Sequence, residues 1–581
     1  MTIKLFRRLL PLLTALALLT FCARADEYQL TGTVMTDVVR MTDAFSASDT
    51  RDVTGNADAS ITLSGDTATI SDSTRGSSGQ TVTITKKGVY LVTGEAENVT
   101  VRISDENESG NIYLVLDSVT MTNETEPCIL VDAADKVIIQ LVGQNSLTLT
   151  AGNDETNACI WSRDDLTING SGSLLINSAQ NGVVCKDDLK LTGGAITVNA
   201  AEAGLRANDS VRTANAVISI TSGKDGVHIE NGASDGWFYQ ESGSIAITAS
   251  GDGIDVGGDA DEASGYIWLY SGDISIVSGS GSGSAAGETS AKGLKCQGDI
   301  YLGPVTVNIS SADDAVNSEA SISVTGGEIT LSSSDDGIHA DSVLSISGGK
   351  LTVEKSYEGL EAYEIRISGG EVSVTASDDG LNAANGSDSA SGEFGPWARY
   401  ASEATEAAGT ISISGGDVYV NATGDGLDAN GSIYVSGGNV IVEGPQNDMN
   451  GALDKGDSAG CTLSITGGTV LALGSSGMAV NFDSGTQCAC LVALSGEAGD
   501  TVTVSDGSGF SFTVSKSFSC AIYSSPSMTE GSQYTLSAGE SSVTADFSQG
   551  LYYSDVSVSH GFFGGDWFER HSGPFFGGPD R

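Results

Sequence analysis

The sequence has little proline, little positive charge and only four histidines. Proline occurs 8 times in 581 residues, and 27 lysines and arginines face 75 aspartates and glutamates, which gives a formal net charge of −48. Such a surface disfavours nucleic acid and anionic membranes as partners. The acidity does not by itself indicate disorder, because hydrophobic residues still make up 39% of the chain. We therefore expect a folded chain that meets cations.

Long apolar runs are rare and concentrate at the N-terminus. Residues 1–25 combine a basic start with an apolar run over Leu9–Leu19 and a small-residue cleavage motif at Ala23–Ala25. This pattern predicts a signal peptide and a secreted, extracellular protein, with cell-surface association left open. No later stretch reaches the roughly 20 apolar residues that span a bilayer, so no transmembrane helix is expected in the mature chain.

The cysteines do not form a metal-binding pattern with histidine. Cys185 and Cys296 stand where other units of the repeat described below carry alanine, which indicates small buried thiols. A disulfide among Cys488, Cys490 and Cys520 is left open, since the predicted compartment can be oxidising.

A Gly-aliphatic-x-small motif recurs along the chain, most often at intervals of 22 residues. Each unit continues into short segments of alternating polar and apolar residues, as over 344–353. A fixed period of this length with strand-like alternation predicts an all-β parallel β-helix with about 22 residues per coil. The motif begins at Gly182, Gly204, Gly226, Gly253, Gly293, Ala315, Gly337, Gly359, Gly380, Gly426 and Gly451.

Changes in composition divide the chain into five predicted parts. Alternation without the repeat over 501–546 indicates a C-terminal β cap that protects the last coil. The parts are a signal peptide (1–25), an N-terminal extension and cap (26–75), the β-helix (76–480), the C-terminal β cap (481–556) and a flexible tail rich in Gly and Phe (557–581).

Acidic residues recur immediately before the motif glycine and two residues after it. Stacked carboxylates repel one another, and Ca²⁺ is the hard cation that binds such oxygens. Asp252 and Asp255, followed by Asp259 and Asp261, form the strongest predicted site. The full set of predicted Ca²⁺ ligands is Asp225, Asp252, Asp255, Asp259, Asp261, Asp314, Asp336, Asp379, Asp425 and Asp428.

Two other interpretations of this acidic pattern remain open. Asp-Gly pairs also form turns, because aspartate caps its own backbone and glycine accepts positive φ. Lys292 and Lys295, which interrupt the acidic columns, then serve to neutralise charge.

Aromatic residues align on consecutive coils of the predicted helix. Tyr239, Trp268 and Tyr301 fall in one outward column, and Trp237 and Trp397 lie in inserted segments beside it. An exposed aromatic strip suits the apolar faces of sugar rings, so these five residues are the predicted carbohydrate-binding residues. The alternative is that the column braces a face of the helix or lies beneath a loop.

Several segments resemble a known family. They are Thr81–Thr85 with Gly88–Tyr90, Arg163–Leu174, Lys186–Gly194 and the Asp-Gly-Ile/Leu repeats. Over roughly 61–548 the chain is similar to secreted bacterial carbohydrate-binding-domain-containing proteins, whose fold is a right-handed parallel β-helix like that of polysaccharide lyases. The resemblance implies calcium binding and affinity for plant cell-wall polysaccharides, including acidic ones, without an activity common to the family.

Three classes of function follow from these patterns. The first is a monomeric, non-enzymatic, calcium-dependent binder of polysaccharide, either pectin-like or cellulose. The second is a calcium-dependent lyase, in which Arg206, Lys292 or Lys295 would be the base. The third is a cell-surface adhesin or spacer. The first is preferred, because the acidic pairs recur in coil after coil whereas a catalytic centre is expected to be singular.

Overall fold

The computed structural model describes residues 33–107, 110–230, 236–257, 265–284, 290–384 and 409–556. Asp259, Asp261, Trp397, the predicted signal peptide and the predicted tail lie outside these residues. Within the described ranges the chain is all-β, and the only helical element is a 3₁₀ turn at Phe547–Gln549. None of the described residues forms a helix long and apolar enough to cross a membrane.

The strands form a long sheet of parallel strands, consistent with a β-helix. Through most of the chain each strand pairs with the third strand after it, so that Val183 pairs with Leu205 and Leu205 with Val227. Three parallel ladders result, which we name the acidic, aromatic and open ladders.

The acidic ladder carries the recurring Gly-aliphatic motif. Its strands are Thr81–Ile84, Thr100–Ser104, Ile129–Ala133, Ala158–Ser162, Asn181–Cys185, Leu205–Ala207, Val227–Ile229, Ile254–Val256, Leu294–Cys296, Val316–Ser318, the first parts of Ile338–Ile346 and Leu360–Ile367, Leu381–Ala383, Leu427–Ala429 and Leu453–Lys455.

The aromatic ladder follows each of these strands along the chain. Its strands are Ala59–Gly65, the first parts of Gly88–Glu97 and Ile112–Asn123, Val137–Val142, Leu166–Gly170, Asp188–Leu191, Ser210–Thr213, Trp237–Gln240, Tyr266–Leu269, Asp299–Leu302, Ile322–Val324, the second parts of Ile338–Ile346 and Leu360–Ile367, Thr410–Ile413, the first parts of Ile433–Glu443 and Leu463–Gly474, and Ser484–Gly485.

The open ladder completes each repeat. Its strands are the second parts of Gly88–Glu97 and Ile112–Asn123, then Gln144–Leu149, Ser173–Ser178, Ala195–Ala200, Val217–Ser222, Ser244–Ala249, Gly272–Ser278, Val305–Ser311, Glu328–Ser332, Lys350–Lys355, Glu371–Ala376, Asp417–Ala422 and the second parts of Ile433–Glu443 and Leu463–Gly474.

The aliphatic residue of the motif fills the core, as its position in the repeat predicts. Val183, Leu205 and Val227 are all at most 1% exposed. Burial of one such side chain contributes about 1.5–3 kcal/mol, so a stack of them is a large share of the stability.

The glycine of the motif is required by close packing and not by positive φ, which corrects the turn interpretation of the Asp-Gly pairs. A Cβ on Gly226 would lie 2.4 Å from Ile247 Cγ2 and 2.6 Å from the carbonyl oxygen of Gly253. Gly226 and Gly253 are absent from the residues with positive φ in the described chain. The glycine therefore lets the acidic ladder approach the open ladder across the core.

An N-terminal segment, residues 33–56, runs along the outside of the aromatic ladder, and we name it the strap. Later residues of the strap contact earlier coils. Met35 N donates to Ser323 Oγ at 3.0 Å, whereas Val53 N donates to Gln140 Oε1 at 2.9 Å. Between them, the buried Asp49 pairs with Lys136 Nζ at 2.5 Å. The strap thus connects coils that are far apart in sequence.

The parallel ladders end in antiparallel structure. Cys520–Ser524 pairs antiparallel with Leu463–Gly474 and with Ala489–Val492, which also pairs with Tyr552–Ser554. The strands Thr501–Val504, Ser511–Thr513, Gln533–Ala538 and Ser541–Asp546 form a separate four-stranded sheet. At the other end, Thr67–Ile70 and Gly76–Ser77 pair antiparallel with their neighbours.

All eight cysteines in the described chain are free thiols. Cys185 and Cys296 are fully buried, as the repeat predicts. The disulfide left open among Cys488, Cys490 and Cys520 is not formed.

Candidate functional site

The two acidic columns lie side by side on the acidic ladder. The column two residues after the motif glycine is in unbroken register, in the order Arg206, His228, Asp255, Lys295, Asn317, His339, Glu361, Asn382, Asp428 and Asp454. The other column lies three residues earlier in each coil. Residues that are distant in sequence therefore become neighbours one strand apart.

The first half of this array balances acids with bases, and we name it the paired stretch. Its acids are Asp225, Asp252, Asp255, Asp314 and Asp336, and its bases are Arg206, His228, Lys292, Lys295 and His339.

At the centre of the paired stretch, Lys295 lies between two of the acids. Its Nζ is 3.3 Å from Asp252 Oδ2 and 3.5 Å from Asp255 Oδ1. His228 Nδ1 is 3.0 Å from the other oxygen of Asp255. The nearby carboxylates of Asp225 and Asp255 raise the pKa of His228 to about 9, which favours a positively charged ring at neutral pH.

The two described acids of the strongest Ca²⁺ site predicted from sequence therefore have cationic partners within the chain. Asp252 and Asp255 already contact an ammonium group, and Asp252 Oδ1 also accepts hydrogen bonds from Ser290 Oγ and Lys292 N at 2.7 Å. The sequence suggested charge neutralisation for Lys295 but did not show which carboxylates its long side chain reaches.

Lys292 offsets the charge of two acids on the following coil. Its Nζ is 3.1 Å from Asp313 Oδ1 and contacts Asp314. Burial alone would lower the pKa of Lys292, but the charge of Asp314 and its hydrogen bond outweigh burial and raise it. The pKa of Lys295 is raised by Asp255 and Asp252 in the same way against burial. Neither lysine has the lowered pKa that a general base requires.

The third predicted base is also engaged in an ion pair. Arg206 contacts Glu230 through its guanidinium group. Each of the three residues suggested for a lyase base is therefore held in an ion pair with a carboxylate.

The second half of the array carries acids without bases, and we name it the acidic cluster. Its members are Glu358, Asp379, Asp425, Asp428 and Asp454, together with the amide of Asn382. Carboxylate oxygens of Asp379, Asp425 and Asp428 all lie within 4.8 Å of one another.

Hydrogen bonds fix the positions of these side chains. Asp379 Oδ1 accepts from Asp425 N at 2.6 Å, and Glu358 Oε2 accepts from Asn382 Nδ2 at 2.6 Å. Because the side chains are held rather than free to separate, their charges remain close together.

The acidic cluster raises the pKa values of its own members. Burial, followed by the charges of neighbouring acids, raises the pKa of Asp428 to about 8 and that of Glu358 to about 8. Burial also raises the pKa of Asp425 to about 7, and Asp379 adds to the shift. Near neutral pH the cluster therefore favours bound protons or a cation.

The donor set of the acidic cluster suits Ca²⁺ better than that of the paired stretch. Ca²⁺ takes six to eight oxygen ligands from carboxylates, amides and carbonyls. Asp379, Asp425, Asp428, Glu358 and Asn382 supply carboxylate and amide oxygens. The paired stretch instead offers imidazole and ammonium groups beside its acids.

The predicted aromatic column exists but is not exposed. Tyr239, Trp268 and Tyr301 pair in register on consecutive strands. Their exposures are only 0%, 8% and 5%, because the strap covers them. The expectation of an open aromatic strip is therefore wrong, and the interpretation that the column lies beneath another segment is correct.

The strap covers the column with apolar contacts and hydrogen bonds. Val38 and Ala44 are buried against the rings, and the partly buried Met41 and Phe45 pack beside them. Met41 N donates to Tyr239 Oη at 3.1 Å, and Trp268 Nε1 donates to Val39 O at 3.1 Å. The spacing of apolar residues between positions 35 and 45 was the signal in the sequence that this segment docks on a surface.

A smaller aromatic surface remains partly open beside the strap. The rings of Trp237 and Tyr266 stack at 5.4 Å with 26° between their planes. The guanidinium of Arg212 lies 4.0 Å from the centre of the Trp237 ring. This pair can offer a sugar an aromatic face. The remaining predicted residue, Trp397, lies outside the described residues.

The site and fold together define an all-β protein with a parallel, repeating sheet and long, largely buried acidic columns. A model of the family described as carbohydrate-binding domain-containing protein matches residues 78–337 and 332–380, just over half of the chain. The chain belongs to this family.

Two known proteins show more limited similarity. A carbohydrate-binding domain-containing protein of Acetivibrio thermocellus is 38% identical over 125 residues, which are 19% of this chain and 43% of the relative. The chain thus spans less than half the length of that relative. A solved structure, the polysaccharide lyase-like protein from C. thermocellum as a gadolinium derivative, is 27% identical. It covers 50% of this chain and 96% of its own, with a TM-score of 0.34.

Proposed function

We propose that the protein is a secreted, monomeric binder of polysaccharide that depends on Ca²⁺. Membership of a carbohydrate-binding family supports polysaccharide as the ligand. The leader-like sequence of residues 1–25 supports secretion. We further propose that the parallel ladders form a right-handed β-helix with about 22 residues per coil.

The proposed calcium dependence rests on one observation. At the acidic cluster, the two acidic columns contain no lysine, arginine or histidine. Asp379, Asp425 and Asp428 converge there, while the pKa values of Asp425 and Asp428 rise to about 7 and about 8. A divalent cation relieves that repulsion and leaves coordination positions for other oxygens.

The same cluster suggests how an acidic glycan binds to an acidic protein. A bound Ca²⁺ supplies positive charge that a uronate carboxylate can share with the protein. Asp379, Asp425 and Asp428 would hold the ion, and Glu358 and Asn382 would complete the oxygen set. A neutral glucan needs no such bridge and would use the stacked rings of Trp237 and Tyr266.

Co-sedimentation of the purified protein with polygalacturonate and with cellulose, in Ca²⁺ or in EDTA, tests the proposal. We expect Asp428→Asn to lose binding to polygalacturonate by at least about tenfold, which corresponds to about 1.4 kcal/mol. Asp273→Asn is the matched control, because Asp273 is an exposed acid on the open ladder. Binding in EDTA equal to that in Ca²⁺ would contradict the calcium dependence.

A second pair of variants tests the aromatic surface. We expect Trp237→Ala to weaken binding to cellulose, whereas Tyr434→Ala, at an exposed tyrosine on another strand, leaves it unchanged. Equal binding by both variants would reject the Trp237–Tyr266 surface.

The same incubations distinguish a binder from a lyase. A lyase creates unsaturated uronate ends, whose ultraviolet absorbance rises with time. We expect no rise, because Lys292 and Lys295 are held as protonated ion-pair partners. A rise that depends on Ca²⁺ would identify the protein as a lyase.

A further inference from the structure

Two of the buried thiols contact each other in the core, near the N-terminal end of the acidic ladder. Cys128 and Cys159 are both 0% exposed. The S–H group of Cys159 points to Cys128 Sγ, and the two sulfur atoms are 3.8 Å apart. Cys185, by comparison, directs its sulfur to the carbonyl oxygen of Asp188 at 3.3 Å. The contact between Cys128 and Cys159 therefore places two oxidisable groups side by side.

The register of the acidic ladder produces this contact. Ile129 pairs with Ile160, so the residues that precede them, Cys128 and Cys159, are neighbours on consecutive coils. Cys128 N donates to Cys159 O at 2.9 Å, which fixes their backbones side by side. Adjacent strands are about 4.8 Å apart, and the Cα atoms of a disulfide are usually about 4.4–6.8 Å apart. The backbone therefore already has a separation that a disulfide accepts.

Closing the bond requires little movement. The sulfur atoms must approach from 3.8 Å to about 2.05 Å. Rotation about the two Cα–Cβ bonds brings the sulfur atoms together, with a small approach of the Cβ atoms, which are about 3.8 Å apart in an average disulfide. Because S–H groups are weak donors, losing them leaves no strong hydrogen-bond partner unsatisfied.

We propose that Cys128 and Cys159 form a disulfide between two consecutive coils when the chain folds in the presence of a small-molecule disulfide such as oxidised glutathione. The thiolate of one cysteine attacks oxidised glutathione, which forms a mixed disulfide and releases one reduced glutathione. The thiolate of the other cysteine attacks the protein sulfur of that mixed disulfide and releases the second glutathione. Two protein thiols are thus oxidised, one glutathione disulfide is reduced, and the two protons pass to the released glutathiones.

Burial makes the oxidation state of this pair depend on the conditions during folding. A thiolate is the attacking group in disulfide exchange. In the folded chain, the hydrogen bond with Cys128 and burial raise the pKa of Cys159 well above its ordinary value, which disfavours the thiolate. The core also shields both sulfur atoms from a molecule as large as glutathione. Exchange therefore precedes the closing of the coils, and the folded chain retains the state that it acquired.

The disulfide would join residues that are 31 positions apart. Such a link restricts the unfolded chain and so stabilises the folded one. The leader-like residues 1–25 predict export, and exported proteins commonly fold in an oxidising compartment. This inference goes beyond the proposed function, because it depends on neither Ca²⁺ nor polysaccharide.

Refolding of the purified protein tests the proposal. The chain is unfolded in urea with dithiothreitol and then transferred into oxidised and reduced glutathione, or into dithiothreitol alone. Trypsin cleaves after Lys136, so Cys128 and Cys159 fall on separate peptides. Free thiols are alkylated, and the chain is digested without reductant. Mass spectrometry should find the two peptides linked in the glutathione arm only, two hydrogen atoms lighter than their sum.

Two variants serve as a test and a matched control. Cys159→Ala should remove the linked peptide and leave Cys128 alkylated, whereas Cys185→Ala, at another buried thiol of the same core, should retain the link. The midpoint of thermal unfolding should be several degrees higher for oxidised than for reduced wild type. Cys159→Ala should have the same midpoint after both treatments.

Two results would overturn the inference. One is a chain from the glutathione arm that has the native circular dichroism spectrum and in which Cys128 and Cys159 are both alkylated. The other is a link from either residue to a different cysteine. If the chain does not refold, protein exported to a bacterial periplasm, where disulfides form during folding, is digested in the same way and judged by the same results.

Discussion

The paired stretch and the acidic cluster occupy the same two columns of one ladder, yet they solve the problem of stacked carboxylates differently. In the paired stretch, Lys295 lies 3.3 Å and 3.5 Å from two acids that belong to one coil. In the acidic cluster, Asp379, Asp425 and Asp428 converge with no base in either column. The comparison shows that the same two columns of a repeat can alternate acids with bases in one region and carry acids alone in another.

The difference appears in the protonation of the two regions. His228 in the paired stretch holds its proton up to a pKa of about 9 because carboxylates surround it. Asp428 in the acidic cluster holds a proton up to a pKa of about 8 because burial and other acids disfavour its charge. The raised pKa of His228 reflects attraction between opposite charges, whereas the raised pKa of Asp428 reflects burial and repulsion between like charges. The two regions should therefore respond differently to mutation and to Ca²⁺.

The largest effect is expected from breaking the paired stretch. Asp255→Asn removes the carboxylate shared by Lys295 and His228 and leaves both cations without it. We expect the free energy of unfolding to fall by about 3 kcal/mol. Urea denaturation measures this loss, which should be the same in Ca²⁺ and in EDTA. A loss that Ca²⁺ reverses would show that the paired stretch also binds the ion.

Calcium should stabilise the protein through the acidic cluster alone. At a concentration 100 times its dissociation constant, a ligand that binds only the folded state adds about 2.7 kcal/mol. We expect the midpoint of thermal unfolding to rise by several degrees in wild type and in Asp225→Asn, but not in Asp428→Asn. Equal shifts in all three proteins, measured by differential scanning calorimetry, would place the calcium elsewhere.

Raising the pH should destabilise the calcium-free acidic cluster. The pKa of Asp425 is about 7 and that of Asp428 about 8 in the folded protein, both above the ordinary value of 3.8. The folded state therefore binds protons more tightly, and its stability falls as the pH rises from about 4 to about 8.

The variant Asp428→Asn isolates this pH effect. It removes one of the repelling charges, so we expect a shallower fall and a gain of about 1 kcal/mol over calcium-free wild type at pH 8. Urea denaturation at a series of pH values measures both quantities. A steeper fall in the variant would contradict repulsion as the cause.

The ladders could be predicted from the sequence, whereas the contacts of long side chains and of the strap could not. The repeat defines which residues stack, so the columns of Asp255 and of Trp268 were predicted correctly. It does not define how far Lys295 reaches, because four rotatable bonds separate its charge from the ladder. Nor does it predict the strap, since Val38 lies outside the repeat and packs on residues some 200 positions away.

The smallest expected effect is the pH dependence of stability that comes from the attraction between the charged ring of His228 and its neighbouring carboxylates. The pKa of His228 is raised from 6.5 to about 9, so its stabilising contribution is complete below pH 6.5 and is lost as the pH rises through 9. We expect a loss of about 1 kcal/mol over this interval, since the side chain is 23% exposed and solvent screens the ion pairs. Because the paired stretch supplies its own cations, Ca²⁺ should not restore this loss. His228→Gln should remove the dependence, as measured by urea denaturation in saturating Ca²⁺ between pH 6.5 and 9.5. If wild type shows no greater loss than His228→Gln, the charge of the ring does not contribute to the stability of the paired stretch.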